Sequence, residues 1–81
     1  MANLATITVK TNGEYADLAT LASVTFTSGN KYQIQVQNLA YLREGTNGKG
    51  FLITSDKPFT YVAGSDDLYI KTDYAVVNIG E

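Results

Sequence analysis

Between Gly50 and Lys71 the chain reads Gly-Phe-Leu-Ile-Thr-Ser-Asp-Lys-Pro-Phe-Thr-Tyr-Val-Ala-Gly-Ser-Asp-Asp-Leu-Tyr-Ile-Lys, and turn-forming residues interrupt its apolar runs within 3 to 5 residues. That punctuation predicts three short strands, Phe51–Thr54, Phe59–Val62 and Leu68–Lys71, joined by turns and arranged as an antiparallel meander. Phe59 and Tyr61 share one face and Leu68 and Ile70 another, so the hairpin between them lays large side chains into one core. Each such side chain contributes roughly 1.5 to 3 kcal/mol when buried. Pro58 has no N–H to give to a ladder and belongs at the start of its strand or on an edge.

The rest of the chain continues the extended pattern. Ala5–Lys10 alternates, with Ile7 and Val9 on one face and Thr6, Thr8 and Lys10 on the other, and Asn12-Gly13 ends the segment with a strong turn dipeptide. Glu14–Ala22 is the one stretch with helical spacing: Tyr15, Leu18, Ala19 and Ala22 fall at i, i+3, i+4 and i+7. One or two helical turns compete there with an extended segment, because isolated helices this short are marginal. Ser23–Thr27 alternates again and sends Val24 and Phe26 inward, and Ser28-Gly29-Asn30 leads into the longest strand. In Tyr32–Asn38 the period is two throughout, with Tyr32, Ile34 and Val36 on one side and Gln33, Gln35 and Gln37 on the other. A one-residue slip would expose the whole apolar set, so the register is well specified. Leu39–Glu44 follows a bend at Asn38 as a further strand, and Gly45–Gly50 is a glycine-rich tip. Ala75–Ile79 is apolar on both sides for part of its length, which suits a central or covered strand.

About seven short strands in 81 residues predict a single all-β domain over residues 1–81, a small antiparallel β-sandwich or barrel. Its expected core is Ile7, Val9, Phe26, Ile34, Val36, Phe59, Tyr61, Leu68, Ile70, Val77 and Ile79. A chain this small buries a modest fraction of its surface and commonly needs a supplement. With no Cys and no His there is neither a disulfide nor a soft metal ligand, so association with other subunits is the expected supplement.

Composition narrows the function. Only 17% of residues are charged, the net charge is −2, and the basic residues are scattered singly. A phosphate backbone requires a clustered basic face, so nucleic-acid binding is not expected. No apolar run reaches the length of a membrane span, and Met-Ala-Asn-Leu-Ala-Thr lacks the charged n-region of a secretion signal. The expected partners therefore include neither nucleic acid nor membrane, and synthesis in a cytoplasm-like compartment is expected. Without His, a nucleophile would need Lys or a carboxylate as base, and no Ser is flanked by elbow glycines. Gly45–Gly50 lacks the Gly-x-x-x-x-Gly-Lys-Ser/Thr spacing of a phosphate loop. Asp66, Asp67 and Asp73 are accounted for by turn chemistry, without the spaced acidic pattern of a calcium loop. No catalytic, metal or cofactor residue is nominated, and the expectation is a non-enzyme. The Gln33, Gln35, Gln37 row is the candidate contact face, since amides hydrogen-bond across an interface without burying charge, and Tyr41 and Tyr69 join it as candidate interface residues. The competing reading is a small carbohydrate- or host-surface-binding module that uses exposed tyrosines at Tyr41, Tyr69 or Tyr74.

The segments Val24–Gln35, Tyr41–Glu44, Lys57–Lys71 and Val77–Glu81 resemble a family of small tailed-phage virion structural proteins. The resemblance is carried by Thr27-Ser28-Gly29-Asn30-Lys31-Tyr32, by Lys57-Pro58-Phe59-Thr60-Tyr61-Val62-Ala63-Gly64, by Asp67-Leu68-Tyr69-Ile70 and by Val77-Asn78-Ile79-Gly80-Glu81, with Gly80 departing from a more usual Ala. It implies a capsid decoration or head-fibre-like protein, homotrimeric, located in the virion and bound to the major capsid protein or another virion protein. In the competing reading the module would belong to a phage tail or fibre.

Overall fold

The structure, a computed structural model, describes residues 3–46 and 49–81. Among them are seven strands and one short helix: β1 (Asn3–Val9), β2 (Ala16–Asp17), α1 (Leu18–Ala22), β3 (Lys31–Glu44), β4 (Phe51–Thr54), β5 (Phe59–Val62), β6 (Leu68–Lys71) and β7 (Ala75–Gly80). They form one curled antiparallel sheet, a half-barrel, so the all-β expectation holds.

The molecule is built on β3. Its inward residues Tyr32, Ile34, Val36, Ala40 and Leu42 are all buried, and its even-numbered parity survives the bend. Asn38 makes that bend with φ 77, a left-handed conformation that Asn tolerates better than most residues. On the N-terminal side of Asn38, β3 is flanked by β5 and β7; on the C-terminal side it is flanked by β4 and β6. β1 extends the first half beyond β7, and β2 extends the second beyond β6. Curling the halves toward each other closes the core.

Several expectations change in this architecture. Residues 50–71 do not form a meander, because β4, β5 and β6 each pair with β3 and not with one another. A fourteen-residue strand offers two edges and two halves, and its edges are taken up by β5 and β7 in one half and by β4 and β6 in the other. Leu39–Glu44 is not a separate strand but the continuation of β3 through its bend. Ser23–Thr27 is not a strand at all. Its Thr27 N–H donates to the Tyr32 hydroxyl (2.8 Å) and its Val24 N–H to the Ala19 carbonyl (3.1 Å), so the backbone donors are committed locally rather than to a ladder. The alternation nevertheless aims Phe26 inward, where it meets Tyr32 (4.9 Å) and Tyr61 (5.1 Å) edge to face.

The helical reading of Glu14–Ala22 is realised over Leu18–Ala22 alone. Asp17 caps it, its Oδ1 accepting from the Ala19 N–H at 3.0 Å, and Ser23 ends it at φ 56. Leu18 is fully buried, whereas Tyr15 lies before the helix and covers the outside of the sheet. Asn12 (φ 56) and Gly13 (φ 89) make the turn that the Asn-Gly dipeptide predicts. Of the expected core, Ile7, Phe26 and Phe59 are partly buried and the other eight are fully buried; Leu18, Tyr32, Ala40, Leu42, Ile53, Ala63 and Ala75 complete it. The Gly45–Gly50 tip includes residues 47 and 48, which lie outside the described residues.

Candidate functional site

Because odd-numbered residues of β3 point outward, the candidate interface residues Gln33, Gln35, Gln37 and Tyr41 lie along one strand on the outer surface. Tyr69 joins them from β6, paired with Arg43. The bend at Asn38 divides the five between two faces of different chemistry.

The face on the N-terminal half of β3 is uncharged along its centre. Gln35 sits opposite Asn78, which sits opposite Thr6; Gln37 sits opposite Val76, which sits opposite Thr8. Gln33 faces Gly80 on one side and Thr60 on the other, and its Nε2 donates to the Thr60 hydroxyl at 2.9 Å. Gln35 and Gln37 are exposed. Four strands thus present Thr, Gln, Asn and Val side chains, with Lys10 and Lys31 only at the margins.

The face on the C-terminal half alternates rings and cations. The antiparallel register places Tyr41 against Lys71 and Arg43 against Tyr69, and Tyr15 lies across both. Tyr69 lies 5.3 Å from the Arg43 guanidinium, which lies 4.2 Å from Tyr15; Tyr15 lies 5.0 Å from the Lys71 ammonium, which lies 5.3 Å from Tyr41. Cations over ring faces are attracted by the ring quadrupole, so two cations hold the Tyr15 ring. Arg43 Nε is buried without a hydrogen-bond partner among the described residues, and the two rings are the compensation the site provides. Gly50 makes room for Tyr15: a Cβ there would collide with the Tyr15 hydroxyl. Leu39, Tyr41 and Leu52 add exposed apolar surface beside the stack, each more than two-fifths exposed.

Between Leu39, Tyr41, Lys71, Thr72, Asp73 and Gly13 lies an open groove of about 260 Å³. Thr72 forms its floor. The Thr72 hydroxyl donates to the Leu39 carbonyl (2.8 Å), its N–H donates to the Thr11 hydroxyl oxygen (3.1 Å), and its carbonyl accepts from the Thr11 N–H (3.0 Å). Tyr74 is exposed and is tied to the bend through its carbonyl, which accepts from Asn38 Nδ2 at 3.3 Å.

At the far end of β6 the carboxylates gather around Tyr61. The Tyr61 hydroxyl donates to the Asp66 carbonyl at 2.9 Å, and burial pushes its pKa up, helped by Glu44, Asp67, Asp66 and Asp17. Asp73 lies beyond the other end of β6 from Asp66 and Asp67, so these acids do not converge. Among the described residues no His, Cys, Asp or Glu grouping could hold a metal.

Sequence reasoning missed Tyr15, Arg43, Lys71 and Asp73. A signal was present for two of them: Tyr41-x-Arg43 and Tyr69-x-Lys71 put a ring and a cation on the same side of two strands. Only the register sets ring against cation. Compared with known proteins, the chain matches no family model, no curated protein and no solved structure.

Proposed function

We propose that this chain is a non-enzymatic structural protein of a bacteriophage particle, a capsid decoration or head-associated protein that associates with copies of itself as a homotrimer and reinforces the capsid. The particle setting rests on the resemblance carried by residues such as Lys57–Lys71 and Val77–Glu81. The single observation that supports docking is the uncharged outer face of Thr6, Thr8, Gln33, Gln35, Gln37, Thr60, Val76 and Asn78. Interface cores are depleted of charge because desolvating an ion costs several kcal/mol, and this face contains none to desolvate. Its amides also bring donors and acceptors that a facing copy or a capsid protein can pair.

Sedimentation velocity and retention on empty capsids test this reading. The native chain is expected to sediment as a trimer and to co-sediment with empty particles. Gln35→Glu, at an exposed position that leaves the core untouched, is expected to shift the chain to monomer and release it from particles. A chain that stays monomeric at all concentrations and ignores empty particles would overturn the proposal.

A further inference from the structure

The geometry points to a saccharide-binding groove at Tyr41, Lys71 and Asp73, on the half of the sheet that does not carry the uncharged docking face. Nothing in this inference depends on the assembly reading. The groove brings together the three things a pyranose needs. The Tyr41 ring is about two-fifths exposed and offers an apolar plate for the ring's C–H face. Lys71 and Asp73 both line the groove, the one with an ammonium that donates and the other with a carboxylate that accepts. Sugar hydroxyls both donate and accept, so the hydroxyls of one ring match both groups.

The same groups exclude other ligand classes. Asp73 opposes an anion and Lys71 opposes a cation, which leaves a neutral, hydroxylated ring as the best electrostatic match. The volume, about 260 Å³, lies below the roughly 300 Å³ at which drug-sized sites begin, so the open groove suits contact with a single ring and the rest of a glycan lies outside.

The site is also held in place before any ligand arrives. Lys71 stands between Tyr15 at 5.0 Å and Tyr41 at 5.3 Å, which limits the rotamers it must give up on binding. The floor residue Thr72 is 4% exposed, and its hydroxyl, N–H and carbonyl are already bonded within the protein. Gly13 contributes bare backbone to the lining, at a φ of 89 that favours glycine.

The test is a titration of the isotopically labelled full chain with methyl glycosides of glucose, galactose, mannose and N-acetylglucosamine, followed by amide chemical shifts. At least one glycoside is expected to bind with a dissociation constant on the order of 1 mM, with shifts centred on Gly13, Leu39 to Tyr41 and Lys71 to Asp73. Tyr41→Ala is expected to weaken that binding by about tenfold or more, and Asp73→Asn, which preserves shape, by several-fold. Gln35→Glu on the other face is expected to leave it unchanged, which separates the fate of this site from that of the docking face. The inference is overturned if no glycoside moves these amides, if both Tyr41→Ala and Asp73→Asn bind as well as the native chain, or if acetate or methylammonium produces the same shifts.

Discussion

A single missing side chain decides whether Tyr15 can lie on the sheet. Any Cβ at Gly50 meets the Tyr15 hydroxyl, and Tyr15 has little freedom to withdraw because Arg43 and Lys71 engage its ring. Gly50→Ala is therefore expected to cost about 1 to 3 kcal/mol in urea denaturation. The cost should vanish in a Tyr15→Ala background, and a cycle without coupling between the two sites would show that the contact is not the cause. Tyr61 carries the pH dependence. Burial, followed by Glu44, Asp67, Asp66 and Asp17, raises its folded pKa above the ordinary phenol value. The neutral hydroxyl's contribution is then complete below about pH 10, the unfolded value, and lost as pH rises through the raised folded value. Tyr61→Phe is expected to cost about 1 kcal/mol at neutral pH through the lost bond to the Asp66 carbonyl. It should also flatten the alkaline decline in stability, as measured by denaturation at successive pH values.

At the scale of elements, β3 does most of the organising, and its hinge is Asn38. A β-branched residue is poorly suited to a φ of 77, whereas glycine adopts it freely. Asn38→Val is expected to lose about 1 to 2 kcal/mol or more from that strain alone. Asn38→Gly should lose less, chiefly the side-chain bond to the Tyr74 carbonyl. Equal losses in thermal unfolding would mean that the bend is set elsewhere. The strand's apolar alternation was legible in Tyr32–Val36, as was the bend at Asn38. What could not be read locally was that one strand continues on both sides of it, since the ladder bonds that hold β4 and β6 to Leu39–Glu44 come from distant residues. The Ser23–Thr27 segment shows the converse: alternation reports which way side chains face, and Phe26 does face in, but a ladder needs a partner with free donors and acceptors.

For the whole molecule, the curl puts two chemically different faces on one 81-residue chain. An association through the uncharged face gains little from Coulomb attraction and should be insensitive to salt. Sedimentation at ionic strengths from about 0.05 to 0.5 M is expected to give the same distribution, because the Debye length governs only charged contacts. A steep loss of association with salt would move the interface to Arg43, Lys71 and the carboxylates around Tyr61.

What the amino-acid order determined by itself was much of what depends on neighbours within a few residues: the all-β class, the face that β1, β3, β5 and β6 bury, the Asn12-Gly13 turn, and the amide row at Gln33, Gln35 and Gln37. Short-range sterics and the period of two leave those features little choice. Tertiary structure alone decided that β4, β5 and β6 share β3 as partner, that Tyr15 crosses the outer surface, and that Lys71 and Asp73 meet Tyr41 at a groove. Those outcomes depend on which backbone edges come within hydrogen-bonding reach once the sheet curls, and residue spacing along the chain does not encode that.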